Sequence, residues 1–169
     1  MEHFQVSEND DVHFRGSLYF EELNSGYPTK ANMRSRYKAY RALPQYFFKH
    51  LAGRKLTHPF PWEIQLADQI DREFVNHQLV EEFDLPVSKR SDGLFVLELD
   101  RSLMICDATK RKETPIPSSA VRSATGLIVF DSNGKVLNPA EIEYTGLWGK
   151  QRAGYFLPQD YAPPKNVEF

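Results

Sequence analysis

The spacing of apolar residues changes partway along this chain, and that change constrains the fold more than any other feature. Up to residue 83 the apolar side chains recur mainly every three to four positions; after residue 93 they fall into short runs separated by turn residues. The first spacing stacks side chains on one face of a helix, and the second belongs to strands. A segment that precedes the helical region, residues 12–20, alternates instead. Val12, Phe14, Leu18 and Phe20 share one face and His13, Arg15, Ser17 and Tyr19 the other, as in a half-buried first strand.

Within the helical region, Met33, Tyr37, Tyr40 and Leu43 predict a helix over 31–43, and Pro44 interrupts it. A proline costs nothing at the first position of a new helix, so residues 45–52 continue as a second helical piece up to Gly53. Pro59 and Pro61 open a third helix, whose stripe of Leu66, Ala67, Ile70 and Phe74 passes into Val75, Leu79, Val80 and Phe83 before Pro86 ends it. Beyond it, 94–99 and 103–106 are short apolar runs on either side of Asp100-Arg101, which predicts a tight hairpin. The polar stretch 110–119 is expected to be a loop. Residues 127–130 form a strand, Asn133-Gly134 supplies hairpin-turn chemistry, and 136–144 returns antiparallel, with 154–157 as a further strand. The expected architecture is α+β, with helices in the first half packed on one face of a mainly antiparallel sheet formed by the first strand and the C-terminal hairpins.

Composition bounds the rest. A chain of 169 residues with 41% hydrophobic and 26% charged residues is long enough to bury one core without disulfides or structural zinc. One domain over 1–169 is expected, with 1–11 and 158–169 as flexible termini. The lone cysteine, Cys106, supplies no disulfide and no paired metal ligands, and suits a reducing, cytoplasmic setting. The scattered histidines His3, His13, His50, His58 and His77 have no metal-ligand spacing, so neither metal nor cofactor is expected. No apolar run approaches the ~20 residues of a membrane-spanning helix, which argues against a membrane partner.

The net charge of −2 hides a strong segregation of sign. Between residues 27 and 58 lie Lys30, Arg34, Arg36, Lys38, Arg41, Lys49, Arg54 and Lys55 without an intervening carboxylate, and the next segment carries Glu63, Asp68, Asp71, Glu73, Glu81, Glu82 and Asp84. On a helical wheel Lys30, Arg34, Lys38 and Arg41 form one stripe, while Met33, Tyr37, Tyr40 and Leu43 make up the face turned to the core. Such a ridge suits an acidic protein surface, or, with Tyr27, Tyr46, Phe47 and Phe48 as stacking surfaces, a nucleic acid. The alternative is that the acidic third helix lies against it and neutralises it. A second candidate surface is the C-terminal aromatic segment 144–161, with Trp148, Arg152 and Tyr155 as its contact residues.

One constellation invites an enzymatic reading. Arg15 lies in Phe14-Arg15-Gly16-Ser17 on the first strand, Ser118-Ser119 follows a proline-rich loop, and Glu141-Ile142-Glu143 places two carboxylates on one side of a later strand. The pattern faintly resembles the arginine, serine and Glu-x-Glu elements of ADP-ribosyltransferases, although the family's Ser-Thr-Ser strand is Ser118-Ser119-Ala120 here. The resemblance implies that Arg15 grips the phosphates of a nicotinamide dinucleotide and Glu143 orients its ribose, with Ser118 and Glu141 beside them. Against this stands the simpler expectation of a non-enzymatic binding or regulatory protein acting through the basic helix and the aromatic C-terminal segment on a macromolecular partner.

Overall fold

The computed structural model describes residues 3–6, 12–15, 29–54, 62–70, 73–107 and 118–150. The fold is α+β. Strands β1 (His3–Val6) and β2 (Val12–Arg15) form an antiparallel pair of their own. Helices α1 (Lys30–Arg41) and α2 (Pro44–Ala52) follow, then the long hairpin β3 (Trp62–Ile70) and β4 (Glu73–Val80). The remaining elements are β5 (Val87–Lys89), β6 (Phe95–Glu98), β7 (Ser102–Asp107), β8 (Ser118–Ser123), β9 (Leu127–Phe130), β10 (Ile142–Thr145) and a single turn α3 (Gly146–Gly149). All pairings are antiparallel, in a five-stranded sheet of order β10-β8-β7-β3-β4 and a three-stranded sheet of order β5-β6-β9.

The core forms where α2 meets both sheets. Phe47, Phe48 and Leu51 of α2 are completely buried and cluster with Ile64, Leu103, Ile105 and Val121 of the larger sheet and Leu97, Ile128 and Phe130 of the smaller. Phe47 lies 5.7 Å from the rings of both Trp62 and Trp148, and Phe48 lies 5.1 Å from Phe130. Aromatic pairs in such edge and tilted geometries add to the area they remove from water. The turn after β9 closes this core from outside. Asp131 Oδ1 accepts from the amides of Asn133 and Lys135, and Gly134, at φ +80°, fits against the backbone of α2 at Gln45 and Lys49, where a Cβ has no room. The Asn-Gly turn is therefore present, but the chain after it makes one bridge, Phe130 to Val136, and then leaves to pair as β10 with β8.

Four expectations are corrected. Residues 62–83 are not a third helix but the β3–β4 hairpin, which places Trp62, Ile64 and Leu66 toward the core. The first strand joins β1, not the C-terminal hairpins. Asp100-Arg101 does not close a hairpin, because β6 belongs to the three-stranded sheet and β7 to the five-stranded one, so this turn carries the chain between sheets. Strand β8 begins inside the stretch expected to be loop, and residues 154–157 lie outside the described residues.

Arg101 also fastens the β3–β4 hairpin. The ladder shifts register between Leu66 and Asp68, and Asn76 opposite the shift takes φ 54°, a conformation asparagine tolerates better than most residues. The Arg101 guanidinium donates to Asp68 Oδ1 (2.9 Å), to Gln78 Oε1 (3.1 Å) and to the Asn76 carbonyl, while Asn76 Nδ2 donates to Asp68 Oδ2 at 2.8 Å. These bonds hold the Asp68 carboxyl below the usual carboxylate range, the Asn76 amide contributing first and Arg101 next. No helix among the described residues is long and apolar enough to cross a membrane.

Candidate functional site

Helix α1 is defined at its start by Thr29, whose Oγ1 accepts from the Asn32 amide at 3.2 Å, and at its end by Leu43, which is extended (φ −85°, ψ 147°) and lets Pro44 open α2. Of its twelve residues, Tyr40 is buried. Tyr40, Leu43 and Tyr46 form a small cluster with Tyr37 and Trp62 at the joint between the helices, and the Tyr46 ring meets Tyr40 edge-on at 5.0 Å. Burial, followed by the neighbouring Tyr37, raises the Tyr46 phenol above its ordinary value.

The neighbouring face carries charge. Lys30, Arg34, Lys38 and Arg41 are all exposed and fall on one stripe, which at 1.5 Å per residue runs for roughly 16 Å. Arg41 holds its guanidinium 5.8 Å from the centre of the Tyr37 ring. Among the described residues no carboxylate forms an ion pair with Lys30, Arg34 or Lys38. The acidic segment does not neutralise the ridge as a packed helix, since it is the β3–β4 hairpin and its Asp68 is taken up by Arg101. The ridge serves the helix at one end alone, since Lys38 and Arg41 lie in its last turn, where cations complement the macrodipole. The first turn contains no acidic residue, and Lys30 stands at the positive end of the macrodipole, where a cation is disfavoured.

The remaining candidates are placed as follows. Trp148 is 9% exposed and packs against Phe47 and Tyr144, so it is a core residue and not a contact surface. Tyr46, Phe47 and Phe48 are likewise interior and offer no stacking platform. Tyr27, Arg152 and Tyr155 lie outside the described residues. Glu143 is exposed on β10 opposite Arg122, whereas Glu141 ends a 3₁₀ turn, so the two carboxylates do not share a strand face. Glu141 Oε2 accepts from Asn138 Nδ2 (2.9 Å) and Thr125 Oγ1 (2.8 Å), which lowers its pKa and occupies it in holding the 125–141 loop. Ser118 opens β8, four residues from the Arg122 that faces Glu143, or about 13 Å along the strand. Arg15 ends β2, and its side chain is outside what is described.

Other chemistries find little support. Burial first, and then the nearby Glu63, raise the Cys106 thiol, which keeps it protonated and unreactive. Both ring nitrogens of His77 are engaged within the hairpin, at 2.9 Å from Gln65 Oε1 and 3.0 Å from the Phe74 carbonyl. No group of three His, Cys, Asp or Glu residues among the described ones is arranged to hold a metal ion.

Sequence reasoning overlooked a pair of exposed apolar side chains. Leu79 on β4 and Phe83 in the 3₁₀ turn after it are 63% and 70% exposed, although helical spacing had assigned both to a core stripe. A strand reading of 73–80 is the signal that would have found Leu79, because it places this residue beside Gln65, away from the core. Comparison with protein-family models, curated proteins and solved structures finds no match, so the site stands on its own geometry.

Proposed function

We propose that this protein is a non-catalytic, regulatory binding module that uses the basic ridge of α1 to engage the acidic surface of a protein partner. The observation that carries this reading is the coincidence of four exposed cations on one stripe, of which Lys30, Arg34 and Lys38 form no ion pair with a described carboxylate. An acidic protein surface fits better than a single-stranded nucleic acid, because three of the four rings that would stack bases, Tyr46, Phe47 and Phe48, are inside the core. A reducing, cytoplasmic setting suits a chain whose lone cysteine is a buried thiol.

The test is affinity capture from the native cell with wild type and with the double variant Arg34→Glu, Lys38→Glu, each with and without nuclease. The reading requires acidic proteins that are recovered by wild type, survive nuclease and disappear with the variant. Capture that nuclease abolishes would reassign the ridge to nucleic acid. Capture unaffected by the reversal, in a variant shown to be folded, would overturn the reading.

A further inference from the structure

Leu79 and Phe83 are the most exposed of the large apolar side chains among the described residues. They stand four residues apart at the end of an edge strand, and exposed Glu81 and Asp84 flank them. Apolar side chains so exposed, with carboxylates beside them, offer a docking surface.

The occupant that fits must offer cations together with aliphatic surface. The α1 ridge has this composition. Arg34 and Lys38 carry long apolar stems beneath charged heads, and the exposed Ala31 and Ser35 on the same helix are small enough to let a side chain approach it closely. Within one molecule Lys30, Arg34 and Lys38 form no ion pair with a described carboxylate. We infer that the ridge of one copy docks on the Leu79–Phe83 patch of a second copy. The stems of Arg34 and Lys38 cover the Phe83 ring while their heads meet Glu81 and Asp84, a contact that joins cation–π attraction to charge pairing. This rests on the reading of α1 as a docking surface and names its partner. Because ridge and patch are different surfaces, the contact is heterologous, and it yields either a reciprocal pair or an extending chain. Two anchors and a short charged stripe fall short of a standard stable interface, so the association is weak and concentration-dependent.

Sedimentation equilibrium of the full chain over a range of concentrations provides the test. In low salt the average mass should rise with concentration, whether toward a dimer or beyond, and the rise should vanish near ~0.5 M salt, where charges are screened beyond a few ångströms. Phe83→Ser and the double variant Arg34→Glu, Lys38→Glu should each remain monomeric, and both replace exposed side chains, so folding is preserved and circular dichroism verifies it. Mixing the ridge-reversed variant with Glu81→Lys, Asp84→Lys should restore association, because each variant's ridge then meets an oppositely charged patch on the other. A wild-type protein that stays monomeric in low salt, or a mass rise that Phe83→Ser leaves unchanged, would overturn the inference. If wild type is monomeric while nuclease-resistant acidic proteins are still captured through Arg34 and Lys38, this inference fails and the ridge reading stands. If neither association nor capture responds to the reversal, both fail.

Discussion

Helices α1 and α2 are neighbours joined through one extended residue, yet they do opposite things with their sequences. In α2, Tyr46, Phe47, Phe48 and Leu51 are buried among two sheets, so its identity is dictated by packing. In α1, Tyr40 is buried near the C-terminal end and the long basic face looks out. An amphipathic helix normally spends its polar face on solubility and on charge pairs along its own surface. Here that face is uniformly cationic, and its first cation opposes the helix dipole. The difference teaches that the second helix is held by packing over most of its length, whereas the first is held mainly at its C-terminal end.

Substitutions grade this contrast. The largest effect belongs to Phe47→Ala, which empties a site with no exposure between Trp62 and Trp148 and should cost about 3–5 kcal/mol in denaturant unfolding. A loss under half of that would mean the core collapses around the gap and α2 is less central than its burial implies. Next comes Gly134→Ala. Its Cβ would strike the backbone of α2 at Gln45 and Lys49 from a positive-φ position, and a loss of about 1–3 kcal/mol is expected.

The clamp at Arg101 ranks third and has a pH signature. Asp68 has a folded pKa below its ordinary value, so its contribution is present above the unfolded carboxylate value and lost as pH falls through the lowered folded value. Melting temperatures of wild type and Asp68→Asn should therefore differ near neutral pH and converge in acid. Curves that stay parallel down to strongly acid pH would show that the clamp contributes nothing through ionisation. The smallest effect on folding should come from reversing Arg34 and Lys38 to glutamate, about 0.5 kcal/mol or less, because both side chains are exposed and without a described ion pair. A large fall in melting temperature would erase the contrast between the helices.

The helices were legible because their signals are local. Tyr37, Tyr40 and Leu43 mark a face, and Pro44 marks a boundary through its own geometry. The turn at Asn133-Gly134 was legible for the same reason. The β3–β4 hairpin was not, since its apolar residues follow two registers. Trp62, Ile64 and Leu66 alternate, then the irregularity at Leu66 and Asp68 shifts the pattern, and the sum imitates a spacing of three to four. What holds these residues as strands is remote: β7, itself buried on both faces, pairs with β3 from Trp62 to Ala67. The same non-locality hid the separation of β6 from β7, because a turn at Asp100-Arg101 says nothing about which sheet each strand joins. At the candidate site the exposed ridge followed from helical periodicity, whereas the burial of Trp148 depends on Phe47, a contact across the fold.

The extended backbone at Leu43 has an evolutionary consequence. Because Thr29 closes one end of α1 and Pro44 restarts the chain at the other, substitutions on the outer face of α1 do not propagate into α2. That face is free to drift under its own constraints, while Phe47, Phe48 and Leu51 change only with the sheets around them. Substitutions at Lys30, Arg34 and Lys38 can accumulate as long as Tyr37 and Tyr40 keep the joint. The segment is thus a graftable cassette, which an experimenter can exchange for another capped helix that keeps a tyrosine at the joint.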